Sequence, residues 1–321
     1  EPIEFSAVEL TLYQDYETES FDSISRVLEV YYAEKNIYSR IRQKSADLRR
    51  IVTTALERNQ KKYQLQQKQL KDSEKREKYK LYGELINVYG YNLEEGAKEL
   101  LAPNFYDNNK EIRIPLDPTL SPQENSQKFF DRYGKLKRTA EALDKLLQET
   151  KAEIDHLESI QNSLDIALSA DDLVQIKQEL TEYGFIKKNR SGKKEKIKSK
   201  PFHYLSSDGY DIYVGKNNYQ NDELTFKFAT GNDWWFHAKG MPGSHVIVKS
   251  KGEEMPDRVF EEAGMLAGFY SKGRDSDKIE IDYLQKKNVK KPAGSAPGFV
   301  VYYTNYSLTI HPDISHLKLI E

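Results

Sequence analysis

The sequence predicts an α+β chain: a long antiparallel α-helical coiled-coil hairpin, followed by a compact α+β domain with a mostly antiparallel sheet. Three observations predict it. No Gly or Pro occurs between Ile3 and Tyr82. Apolar residues recur at alternating spacings of three and four along two long stretches. From Pro201 onward the apolar period shortens to that of strands, with turn residues between them.

The bulk composition narrows the class. At 321 residues the length suggests two domains. Aromatic residues are 12% and charged residues 31%, too aromatic for disorder and too charged for one compact core throughout. There is no cysteine, which excludes disulfides, thiolate metal sites and a cysteine nucleophile. No run of 18 apolar residues exists, so no membrane span is expected. The chain opens on Glu1-Pro2, neither an initiator Met nor a signal peptide, and is read as a fragment. Residues 1–21 are then the remnant of a preceding domain, with part of its last strand at Ile3–Tyr13.

The hairpin is assigned to residues 22–184. Asp22 or Ser23 can cap the first arm, and Tyr38, Ile41, Ser45, Leu48, Val52 and Ala55 form its stripe. The stretch from Lys61 to Lys80 is polar almost all round and reads as a solvated helix. The second arm steps by four and three from Phe129 through Tyr133, Leu136, Ala140, Leu143, Leu147, Thr150, Ile154, Leu157, Gln161 and Leu164 to Leu168, a coiled-coil period. Each arm would run ~70–90 Å. Between the arms, residues 83–122 hold four prolines and turn the chain back. They are too apolar for a bare loop, so a small folded tip is expected, with a strand pair at 104–116.

Asp171 and Asp172 begin a short helix that ends near Gly184. The basic link 185–200 follows, in which Lys187–Lys200 holds eight basic residues and one acid. Two compatible readings fit it: a solvated linker, and a phosphate contact through Lys193, Lys194, Lys196 and Lys198 driven by counterion release. Charge divides accordingly. Residues 1–186 carry 27 basic and 34 acidic residues, net −7; residues 187–321 carry 22 and 17, net +5. The C-terminal part therefore suits a polyanion.

In residues 201–321, strands are expected at Phe202–Leu205, Tyr210–Val214, Leu224–Phe228, Trp234–Ala238, His245–Val248, Ile279–Tyr283, Phe299–Tyr303 and Ser307–Ile310. Asp208-Gly209 marks a hairpin turn. Asp257 would cap a helix to Tyr270 whose Ala263, Gly264, Ala267 and Gly268 permit close packing.

The most informative stretch is Asn232–Lys249, Asn-Asp-Trp-Trp-Phe-His-Ala-Lys-Gly-Met-Pro-Gly-Ser-His-Val-Ile-Val-Lys. Its Met-Pro-Gly-Ser turn should bring His237, Lys239 and His245 together, with Gly243 and Ser244 offering backbone N–H and hydroxyl groups to a phosphate. Strand alternation puts Trp235 and His237 on one face, Trp234 and Phe236 on the other. The second pair is expected inside, and Trp235 could stack on a base or equally be core. Lys286, Lys287, Lys290 and Lys291 form a second basic cluster, either a solvated turn or part of an RNA-facing surface. The six histidines match no metal motif, and Gly243-Ser244-His245 is no nucleophile elbow. No catalytic residue, metal or cofactor is expected.

This stretch closely resembles the C-terminal signature of the NFACT family, which includes RqcH-like ribosome quality-control factors and fibronectin-binding proteins of the FbpA/PavA type. Tyr204–Thr225, Tyr270-Ser-Lys, Val289–Val300, Leu101–Asp107 and Ile114–Pro122 resemble the family pattern in the same order, covering nearly the whole chain. Trp234 and Leu284 depart from it, where a smaller aliphatic residue and Thr would be usual. The resemblance implies an RNA-binding domain at 201–321 and partners in the large ribosomal subunit, its rRNA, and tRNA. It implies that the protein binds stalled large subunits and supports C-terminal alanine tailing of nascent chains. Bond formation would be the ribosome's, so the chain would not be an enzyme. It would be cytoplasmic and ribosome-associated. The alternative is a surface-exposed fibronectin-binding adhesin of a Gram-positive bacterium, reaching the cell surface without a signal peptide; the two roles are compatible.

Overall fold

The computed structural model describes residues 3–8, 10–13, 18–188, 199–250, 252 and 254–320, apart from the side chains of 13, 34 and 36–38. The chain divides into two compact units, one of residues 57–154 and one of residues 1–56 with 155–321. Its elements are α1 (Ile24–Ser73), α2 (Arg76–Tyr89), β1 (Glu99–Asn104), β2 (Lys110–Pro115), α3 (Pro122–Ile166), α4 (Ala170–Glu182), β3 (Phe202–Leu205), β4 (Asp211–Val214), α5 (Asn218–Glu223), β5 (Trp234–Ala238), β6 (Val246–Val248), α6 (Asp257–Phe269), β7 (Ile279–Gln285), β8 (Tyr306–Ile310) and β9 (Lys318–Leu319). No helix of the described residues is long and apolar enough to cross a membrane.

In the unit of residues 57–154, α2 and the start of α3 run antiparallel. Tyr82 meets Phe129 edge-on at 5.3 Å, and the Ser126 hydroxyl donates to the Gly83 carbonyl at 3.0 Å. Gly83 allows this approach, since a Cβ there would lie 2.8 Å from the Phe130 ring. Pro122 opens α3 behind a reciprocal Ser121/Glu124 cap: Ser121 N–H donates to Glu124 at 2.7 Å and Glu124 N–H to Ser121 at 3.3 Å. The folded tip is present. Its strands are 99–104 and 110–115 rather than a pair confined to 104–116, because the left-handed Asn108 and Asn109 make the turn. Leu100, Ala102 and Ile114 pack on Tyr82, Leu85 and Ile86 of α2. The stretch Lys61–Lys80 is not solvated all round: Gln66 and Ser73 are buried on one line.

In the other unit, Ser23 caps α1, accepting from Arg26 N–H at 3.3 Å. Arg49 of α1 reaches the Leu164 carbonyl at 2.5 Å and pairs with Asp165, both at the end of α3. The heptad of α3 is buried at Leu157 and Leu164, but Ile160, Asn162 and Ser163 are buried as well. Asn162 explains part of this, donating to the Tyr270 carbonyl at 3.1 Å. Leu168 lies past the helix end. Ile3–Tyr13 forms no strand among its described residues; Thr11–Tyr13 is a 3₁₀ turn.

The sheet runs β8-β7-β5-β6-β4-β3-β9, every pairing antiparallel. One face packs on α6, where Gly264 and Gly268 let Leu308 and Ile310 approach the helix; a Cβ at either would meet them within 2.8 Å. Pro256 precedes α6 as its cap residue and Asp257 lies in its first turn, favourable to the helix dipole. Two expected strands are absent. Leu224–Phe228 is a π-helical turn continuing α5, begun by the Asn217 side chain accepting from Gln220 N–H. In Phe299–Tyr303 only Val301 pairs, in a bridge with Lys290.

Candidate nucleic-acid interface

The turn after β5 brings His237 and His245 together, with ring centroids 5.6 Å apart. It does so inside the domain. Trp235 is fully buried, inclined to His245 at 5.1 Å and Tyr302 at 5.4 Å. Its indole N–H lies buried without a hydrogen-bond partner among the described residues. The reading of Trp235 as a base-stacking platform is therefore corrected, and so is the expectation that only Trp234 and Phe236 face inward. Phe236 is fully buried and Trp234 is half-buried against Phe260. Alternation assigned the faces rightly. The second face is covered too, by Leu224, Ala229, Leu284 and Val289 with Phe226, Val300 and Tyr302.

Burial fixes the charge of the two histidines. It pushes His237 down to about 4, outweighing the Gly243 backbone hydrogen bond and the Asp282 charge. Burial and the neighbouring His237 hold His245 well below the usual histidine range. His245 Nδ1 lies 2.7 Å from the Thr225 hydroxyl, and its backbone N–H donates to Asn221 at 3.0 Å. Both are neutral at pH 7 and present no cation to a phosphate. Ser244 is buried, its N–H donating to the Tyr270 carbonyl at 3.1 Å. Gly243 bridges Ser271, and a Cβ there would lie 3.1 Å from the Ser271 Cβ. Lys239 does not join the histidines; it turns to Glu280, with Asp282 4.0 Å away.

The exposed cations lie elsewhere on the domain. Lys286 and Lys291 place their amino groups 5.9 and 6.0 Å from the Phe226 ring. Asp222 holds Lys291. Among the described residues Lys227, Lys286, Lys287 and Lys290 make no ion pair, and all but the half-buried Lys286 are exposed. Phe228 is 41% exposed, with the Lys249 amino group 4.8 Å over its ring. Asp233, which carries Lys249, is pushed up by burial but pulled below the usual range by Lys249 and the N–H groups of Thr230 and Ser250. Phe226, Lys227 and Phe228 are the functional candidates that sequence reasoning missed. The polar cap residues from Asn217 were the available signal of a helical turn there.

A buried carboxylate holds the neighbouring loop. Asp282 accepts from Tyr302 at 2.8 Å, Asn305 at 2.8 Å and Ser307 at 2.7 Å. Trp234 and Leu284, the two departures noted above, line the same groove beside this loop. Lys193, Lys194, Lys196 and Lys198 lie outside the described residues. No group of three or more His, Asp or Glu among the described residues could hold a metal ion.

The family model of the NFACT N-terminal and middle domains matches residues 1–199. That of the NFACT protein RNA binding domain matches residues 200–302. The Rqc2 homolog RqcH of Streptococcus pneumoniae is 38% identical over 296 residues, covering 92% of this chain and 53% of that protein. The ribosome quality control complex subunit NEMF homolog of Drosophila melanogaster is 24% identical over 200 residues, covering 60% of this chain and 18% of that protein. The solved C-terminal part of the fibronectin/fibrinogen-binding protein from Streptococcus suis aligns with a TM-score of 0.66 at 35% identity, covering 86% of this chain and 96% of that one. The chain spans about half the length of the RqcH relatives it matches.

Proposed function

Because the chain belongs to the NFACT family, we propose that it is the ribosome- and RNA-binding segment of a ribosome-associated quality-control factor. The observation that carries this reading is the lysine–phenylalanine face. Lys286 and Lys291 lie about 6 Å from the Phe226 ring, and Lys286, Lys287 and Lys290 make no ion pair among the described residues, in a domain of RNA-binding type. Lysines without an internal acid partner can replace the counterions condensed on phosphates. Trp235 and His245 are buried, and Trp235 packs with Phe226 and Val289.

The full reading is that the protein binds large subunits still holding a stalled peptidyl-tRNA in the cytoplasm. It engages tRNA and supports addition of a C-terminal alanine tail, with bond formation left to the ribosome. Lys193, Lys194, Lys196 and Lys198 add a sequence-independent phosphate contact. Co-sedimentation of the chain with purified large subunits tests the first step. Replacing Lys286, Lys287, Lys290 and Lys291 by Gln should abolish it, and undiminished pelleting would refute the reading. The relationship to the Streptococcus suis protein supports a second, compatible role in fibronectin binding. Retention on immobilised fibronectin, absent on albumin, is its test.

A further inference from the structure

A groove of about 420 Å³ opens beside the loop that Asp282 anchors, lined by Trp234, Gln285, Asn288, Thr304, Asn305 and Tyr306 over Leu284. Its walls are aromatic. Trp234 is set edge-on against Phe260 at 4.8 Å. Tyr306 is 63% exposed and stacks on Tyr283 at 5.5 Å. The Trp234 and Tyr306 centroids are 6.5 Å apart at 51°, a wedge rather than a parallel slot. The rim is polar and uncharged. Gln285, Asn288 and Thr304 make no side-chain hydrogen bond among the described residues. Asn305 is pinned through its Nδ2, which donates to Asp282, the Tyr306 carbonyl and Ser307 at 2.8–3.2 Å, leaving its Oδ1 unpaired. The 3₁₀ turn Lys286–Asn288 joins this rim to the lysine face.

We propose that the groove takes one unpaired RNA base. The base stacks on Tyr306 with Trp234 closing the wedge, and its hydrogen-bonding edge meets the amides of Gln285 and Asn288. The volume lies at the low end of small-ligand pockets, about 300–1,000 Å³. Two rings and carboxamides, with no charge among them, suit a neutral planar heterocycle carrying both donors and acceptors. A phosphate or carboxylate would find no cation inside. The flanking phosphates find Lys287 and Lys290 one and two residues from the rim. A duplex cannot deliver such a base, because its bases are stacked and paired, so the domain prefers single-stranded RNA. The inference rests on the lysine face being the RNA interface, and deepens it.

The test titrates the 321-residue chain with a single-stranded oligoribonucleotide carrying 2-aminopurine, and with a duplex of the same length. Tyr306→Ala should weaken single-strand binding about tenfold and abolish the quenching that accompanies it, with duplex affinity unchanged. Tyr306→Phe should restore both signals. The double change Gln285→Ala, Asn288→Ala should weaken single-strand binding without touching the aromatic walls. Equal losses on strand and duplex, or no loss on either, would overturn the groove while leaving the lysine face standing. If the unaltered chain binds neither RNA, both readings fall together.

Discussion

His237 and His245 stay neutral because burial denies their cations water, and this has a measurable consequence. Unfolded histidine titrates near 6.5, whereas folded His237 is depressed to about 4. As pH falls below 6.5 the unfolded state gains its proton first. The stability contributed by the neutral ring is therefore full above 6.5, is lost as pH falls towards 4, and changes no further below that. Urea midpoints between pH 7.5 and 4.5 should decline, and His237→Gln should flatten the decline. A second prediction concerns the neighbouring tryptophans. Trp235→Ala should cost about 3–5 kcal/mol, and Trp234→Ala less, since Trp234 is only half-buried. Thermal unfolding of the two variants ranks them. Period-two alternation was legible in the sequence and paired Trp235 with His237 correctly. It carries no information about a cover supplied by residues 224–229 and 289–302, so the sequence left Trp235 between a stacking platform and a core residue.

Elements were legible where one physical signal dominates. The gap in Gly and Pro, the Ser23 cap and the three–four spacing place α1 and α3, and Gly209 at φ 74 closes the β3–β4 hairpin. They were misread where two signals compete. Leu224, Phe226 and Phe228 alternate like a strand, yet Asn217 caps a helix that carries through them as a π turn. In α1 the line of Gln66 and Ser73 looked solvated because its residues are polar. Burial leaves Gln66 Oε1 and, on α3, Thr150 Oγ1 without partners among the described residues. An unsatisfied buried polar atom costs about 1–3 kcal/mol. Gln66→Leu should accordingly raise the melting temperature of the hairpin. Gly83→Ala should lower it, because the new methyl drives into Phe130. Calorimetry on the two variants should give shifts of opposite sign.

At the scale of the molecule, charge and architecture divide the labour. The acidic first part, net −7, builds the hairpin; the basic second part, net +5, carries the RNA-binding domain. The stretch richest in Trp and His drew attention first, but its rings are mostly buried support. The proposed phosphate-binding charge is that of Lys286, Lys287 and Lys290, a cluster visible in the sequence, which make no ion pair among the described residues. The most direct test of this division is the salt dependence of RNA binding. For the unaltered chain, log K should fall linearly with log salt. Replacing Lys286, Lys287, Lys290 and Lys291 by Gln should flatten the slope by as much as about 3, with the unfolding transition unmoved. An unchanged slope with a folded variant would contradict the account and place the RNA on another face.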